Sequence, residues 1–166
     1  MVEPDIIQGK NPEASLQAAV SSEVHSILAQ AEVEYIFLEN FGLDIALFIK
    51  NGTREYYRFI ELKTFVGSRQ GGVGFGNRKG EGCQIDILIQ PTEKLLLLNT
   101  CVIWILGFGT IDKGNPRFAV FNSVEAKQAA MGGVRRGKQN NLRIRDFQNR
   151  LHTWSEVLRR LQDFLL

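Results

Sequence analysis

Phe59-Ile60-Glu61-Leu62-Lys63-Thr64-Phe65 is an apolar run that carries two charges of opposite sign. Upstream lies an equally apolar run with one charge, Phe41-Gly42-Leu43-Asp44-Ile45-Ala46-Leu47-Phe48-Ile49. Both read as β-strands, being short and rich in branched and aromatic residues. Side chains alternate faces along a strand, so Glu61 and Lys63 point one way with Phe59 and Phe65, while Ile60, Leu62 and Thr64 point the other. Asp44 shares its face with Ala46 and Phe48. Between the runs, Asn51-Gly52 is a strong hairpin signal, since both residues tolerate positive φ. If Asn51 and Gly52 form a two-residue turn, Asp44 faces Phe59 with Glu61 diagonal to it. If the loop takes four residues, Asn51 to Arg54, Asp44 faces Glu61 directly. Either register puts Asp44, Glu61 and Lys63 on one face, because only a one-residue slip turns a strand over.

Charges inside such strands are expensive unless they are paired or bound to metal. Two neighbouring carboxylates repel until a cation sits between them. Oxygen-only ligation suits Mg²⁺, which takes one or two protein carboxylates and keeps several waters or substrate phosphate oxygens. A lysine beside that cluster can orient or deprotonate an attacking water, or neutralise developing charge. The competing reading is an Asp–Lys–Glu ion network that satisfies itself in an ordinary sheet.

Asn11-Pro12-Glu13 reads as an N-cap with proline in the first helical turn, and the helix runs to about Glu32. Its apolar face collects Leu16, Val20, Val24, Ile27 and Ala31. Glu23 falls on the flank of that stripe, close to Leu16 and Val20. Glu13, Glu32 and Glu34 lie near the ends and read as solvated. His25 has no visible partner.

Asp44 followed by Glu61-x-Lys63, on consecutive strands after an N-terminal helix, resembles the PD-(D/E)XK nuclease superfamily. The residue before Asp44 is Leu43 where the motif has Pro. The resemblance covers about residues 13–108. It implies an α/β, restriction-endonuclease-like fold, with a mixed central β-sheet flanked by helices on both sides. It also implies a Mg²⁺-dependent endodeoxyribonuclease of DNA repair, recombination or restriction, with Mn²⁺ able to substitute. Asp44 and Glu61 would hold the metal, and Lys63 would position the water. Many members carry a glutamate on the first helix, for which Glu23 is the candidate as a further ligand. Several branches carry a glutamine on the helix after the motif, for which Gln84 is the candidate. Size and motif order look most like small Holliday-junction resolvases and compact restriction-type endonucleases. The alternative is a non-catalytic DNA-binding module with a nuclease-like fold.

The remaining sequence fits DNA as the partner. Residues 67–82 hold seven glycines in sixteen positions, with Arg69, Arg78 and Lys79 among them. No P-loop or dinucleotide-binding spacing is present there. Glycine permits close backbone approach, and the interleaved cations suit a phosphate backbone. Residues 1–66 carry five Lys/Arg against ten Asp/Glu, whereas 127–160 carry nine against two. An acidic half for metal and a basic half for phosphate suit a nuclease. Arg135, Arg136 and Lys138, with Arg143 and Arg145, lie in a polar stretch that reads as a phosphate contact.

Cys83–Ile89 fits strand or helix periodicity equally, and the superfamily places a helix there. Cys101–Phe108 is a continuous apolar strand buried on both sides, Arg117–Phe121 another. Ser123 reads as the cap of a short helix ending near Met131. A terminal helix from about Asp146 repeats Phe147, Leu151, Trp154, Leu158, Leu161 and Leu165. That stripe is a core face or a homodimer contact. At 166 residues the chain reads as one domain, residues 1–166. Cys83 and Cys101 lack metal spacing and read as reduced thiols of a cytoplasmic protein. No apolar stretch reaches the length of a membrane span, and the acidic N-terminus has no signal-peptide design.

Overall fold

The computed structural model describes residues 3–6, 11–39, 44–65, 101–112, 115–122, 125, 135–136, 139–140 and 150–166. Helix α1 is Pro12–Gln30. It starts where the sequence places it, with the Asn11 side chain accepting from the Ala14 amide at 3.2 Å. It ends through Ala31 and through Glu32, whose φ of 54° is left-handed. There the Val33 N–H donates back to the Leu28 carbonyl at 3.4 Å, which turns the chain sharply into a strand.

Five strands follow: β1 (Glu34–Glu39), β2 (Ile45–Asn51), β3 (Arg54–Phe65), β4 (Cys101–Asp112) and β5 (Asn115–Asn122). They form one mixed sheet in sequence order. β1/β2, β2/β3 and β4/β5 are antiparallel, whereas β3/β4 is parallel. β6 (Arg135–Arg136) and β7 (Gln139–Asn140) make a separate two-stranded ladder. Helix α2 is Trp154–Leu165.

Strand β1 is absent from the sequence reading, which ends the helix at about Glu32 and assigns no element before the run from Phe41. Tyr35-Ile36-Phe37-Leu38 pairs instead along β2, from Glu34↔Lys50 to Glu39↔Ile45. The β2/β3 register joins Ile45 to Ile60 and Asn51 to Arg54. This is the register of the longer-loop alternative, with Asp44 opposite Glu61, but the loop itself is only Gly52-Thr53. Gly52 takes φ +60° at the first turn position, where a two-residue hairpin loop requires it.

One sheet face carries Ile45, Leu47, Ile49, Ile60, Leu62, Ile103, Ile105, Phe118 and Val120. Leu16, Val20, Val24 and Leu28 of α1 pack on it, beside Trp154, Val157, Leu161 and Leu165 of α2. Burying each such aliphatic side chain contributes about 1.5–3 kcal/mol. Gly107 brings α1 close: a Cβ there would lie 3.0 Å from Ile6 Cδ1 and 3.6 Å from Leu16 Cδ2. The other face is also shut off from solvent over β4 and β5, at Val102, Trp104, Leu106, Phe108, Ala119 and Phe121. Both described helices share the first face, so the α/β sheet is seen with helical cover on that side.

The terminal stripe is a core face, but the helix begins at Trp154, not near Asp146. His152 is held extended by two backbone bonds to Phe118, at 3.0 and 2.7 Å. The Glu156 carboxylate then accepts from the Thr153 amide at 2.7 Å and starts the helix there. Similarly, Asn122 bonds reciprocally with Glu125, at 2.9 and 3.0 Å; Ser123 and Met131, the expected ends of a short helix, lie outside the described residues. Among the described residues, no helix is long and apolar enough to cross a membrane.

Candidate active site

β2 begins at Ile45, paired with Ile60, whereas β3 runs on to Phe65. From Glu61 onward β3 is paired on its β4 side, from Glu61↔Trp104 to Phe65↔Phe108, while the described rungs to β2 end at Ile45↔Ile60. Asp44 stands at this opening. Its Oδ2 accepts from the Leu62 N–H at 2.6 Å. A carboxylate thus takes the next β2-facing amide past the last described rung, in a short charge-assisted bond.

Glu61 and Lys63 follow on the face away from the helices. Lys63 Nζ lies 3.2 Å from Glu61 Oε1 and 3.3 Å from Glu13 Oε1. Glu13 belongs to α1, which packs on the opposite sheet face, and it meets Lys63 near the end of β3, past the last described β2 rung. The sequence reading of Glu13 as a solvated helix-end residue is therefore corrected. Its place was legible in part: Glu13, Leu16, Val20 and Val24 follow the spacing of a single helix face, and the last three are fully buried. Glu23 sits two to three turns further along and is half-buried. Among the described residues it makes no hydrogen bond or ion pair with Asp44, Glu61 or Lys63. The structure thus joins Asp44, Glu61 and Lys63 as the alternation of the strands predicts, and adds Glu13.

The electrostatics follow from this crowding. Glu61 is the least exposed of the trio in contact, at 16% against 34% for Lys63 and 45% for Glu13. Burial raises the Glu61 carboxyl above its ordinary value of 4.5; Lys63 pulls it down, and the charge of Asp44 pushes it up again. Burial would lower Lys63, but Glu61, Glu13 and Asp44 outweigh it and hold the ammonium above its ordinary 10.5. Lys63 is consequently a cation at neutral pH, a donor and a counter-charge. Three carboxylates surround one ammonium, which leaves net negative charge in a partly dry setting. Trp104, 1% exposed, neighbours Glu61 on the parallel strand, and among the described residues its indole N–H has no acceptor.

Among the described residues, no group of three or more His, Cys, Asp and Glu is gathered closely enough to hold a metal unaided. The donor set fits a hard cation that takes two carboxylates and fills its other positions with water or phosphate. It does not fit a closed, all-protein cage.

His25, without a partner in the sequence reading, has one in the fold. Its Nδ1 lies 2.8 Å from the Tyr35 hydroxyl and its ring 4.3 Å from that of Phe37. It locks α1 to β1 away from the acidic cluster. Gln84, Arg69, Arg78, Lys79 and Lys138 lie outside the described residues. Arg135 and Arg136 form β6, paired with Asn140 and Gln139 in a small hairpin ladder. The chain matches no protein-family model and no curated protein.

Proposed function

We propose that this protein is a Mg²⁺-dependent endodeoxyribonuclease with a restriction-endonuclease-like fold. The observation that carries the reading is the convergence of Asp44, Glu61 and Lys63 where β2 leaves β3. The element order supports it: a helix, an antiparallel meander bearing the acids, then a parallel strand beside the motif strand. So does the charge of the cluster, which exceeds what Lys63 neutralises.

Asp44 and Glu61 would hold the metal, with Mn²⁺ able to replace Mg²⁺. Bound there, the ion would offset phosphate charge and make a water more acidic. Lys63, kept protonated by its neighbours, would orient that water and stabilise charge growing on the phosphoryl oxygens, not remove a proton. Asp44 has a second task, since its other contact fixes the β3 backbone and so the direction in which Glu61 and Lys63 project. Arg69, Arg78, Lys79, Arg135, Arg136 and Lys138 are the cations proposed for the DNA backbone. Glu23 and Gln84 remain the proposed supporting residues.

The test is a Mg²⁺ and Mn²⁺ cleavage assay on plasmid, linear duplex, single-stranded and four-way-junction DNA, with Glu61→Ala and Lys63→Ala alongside. Metal-dependent cutting by the parent alone is the expected result, and the preferred substrate names the branch. A Lys63→Ala protein that cuts as fast as the parent would overturn the mechanism. DNA binding without cleavage on any substrate would instead assign the non-catalytic module.

A further inference from the structure

Lys63 is shared between two carboxylates that come from different layers of the fold. Glu61 Oε1 is 3.2 Å away on the same strand, and Glu13 Oε1 is 3.3 Å away on the first turn of α1. Glu61 is also one of the two acids assigned to the metal. Its carboxylate is therefore committed to an internal cation before any external one arrives. A divalent ion that takes Glu61 must displace the ammonium, and an ammonium left half-buried without a partner is costly. Glu13 removes that cost. It is already in contact with Lys63, and it is the more exposed of the two acids, at 45% against 16%. Its helix is anchored independently by Leu16 against Gly107.

We propose that Glu13 is a positioning residue: it receives Lys63 when a divalent cation occupies Glu61, so that metal entry and lysine placement are one exchange. The proposal rests on reading Asp44 and Glu61 as the metal ligands. Lys63 in the empty site stands in for the metal on Glu61. In the loaded site it is retained by Glu13 within reach of the substrate phosphate. Glu13 thereby acts through Lys63 and not as a ligand.

Mn²⁺ binding, followed by titration calorimetry, tests this without reference to cleavage. Glu13→Gln should weaken binding about tenfold in the parent, because among the described residues Lys63 is then left with Glu61 as its one ion-pair contact. Lys63→Met should bind Mn²⁺ more tightly than the parent. In the Lys63→Met background, Glu13→Gln should cost about twofold or less, the loss expected from a distant charge alone. An equal loss in both backgrounds would make Glu13 a ligand or a bulk charge, and would overturn the exchange while leaving the metal site standing. Failure of the parent to bind Mn²⁺ would overturn both. A second measurement avoids the Lys63 variant altogether. Amine-reactive labelling of Lys63, read by mass spectrometry, should change little when Mn²⁺ is added to the parent and rise several-fold in Glu13→Gln. Equal labelling responses in the two proteins would refute the exchange.

Discussion

Asp44 has two roles that two substitutions separate. Its Oδ2 accepts from the Leu62 N–H at 2.6 Å, at an amide whose own side chain is fully buried. Asp44→Ala leaves that N–H without its acceptor, at a cost of about 1–3 kcal/mol. Relief of repulsion with Glu61 returns less than about 1 kcal/mol at a partly exposed site. The net loss is about 1–2 kcal/mol. With a urea slope of about 2 kcal/mol per molar, the unfolding midpoint should fall by about 0.5–1 M. Asp44→Asn keeps a carbonyl acceptor in the same place and should lose less than about 1 kcal/mol. Both variants should lose Mn²⁺ binding and cleavage, because neither offers a carboxylate. Urea titration and amide exchange at Leu62 read the first role, and calorimetry reads the second. If Asp44→Ala unfolds at the parent's midpoint and its Leu62 amide stays protected, Asp44 does not close the strand edge and the account of the opening fails.

Glu32→Gly should stabilise the protein by about 0.5–1 kcal/mol, measured as a higher urea midpoint. Glu32 holds φ 54° with a Cβ that disfavours it, and the gain is partly offset by the freer unfolded chain. A lower midpoint would show that its side chain matters more than its backbone. His152 is depressed below its ordinary 6.5 by burial and by Arg160, with Glu156 opposing. The unfolded chain therefore takes up the proton first. This contribution is complete above pH 6.5 and is lost as pH falls from 6.5 through the lower folded value. Urea midpoints at pH 7.5 and 5.5 should differ less in His152→Asn than in the parent, and an equal difference would remove His152 as a source.

The acid–lysine trio was legible because strand alternation is local: Glu61 and Lys63 share parity, and both hairpin registers, with two- or four-residue loops, return Asp44 to the same face. Glu13 was not, because its partner depends on where β2 stops pairing, which is a tertiary fact. Its phase with Leu16, Val20 and Val24 held the hint, and proximity to the helix end outweighed it. The first helix was legible in full at its start, where the Asn11 side chain caps and Pro12 fixes φ, both purely local effects. Its exit lies within two residues of the Glu32 that the pattern gives, but a left-handed glutamate carries no sequence signal for the sharp turn, and β1 went unread. At the other end the Leu and Trp stripe overran the true start of α2. Thr153-x-x-Glu156 marked that start, but a capping signature competes poorly with a long apolar period. The parallel β3/β4 pairing joins residues separated by the whole of 66–100, and no local pattern encodes it.

The two borders of the sheet carry different protection. On β5, backbone bonds to His152 occupy Phe118. On β1, Glu34 and Glu39 stand at the two ends of the strand, with Ile36 and Leu38 exposed between them. Glu34 is held by Lys50 at 3.4 Å and Glu39 accepts from the Ser21 hydroxyl at 2.9 Å, so a charged side chain is fixed at each end of this edge. Charged side chains there would have to be stripped of water before another strand could pair, which keeps molecules apart despite the apolar centre. Neutral residues at both positions would leave Ile36 and Leu38 on an unguarded edge, so this border is where the protein should first associate with itself.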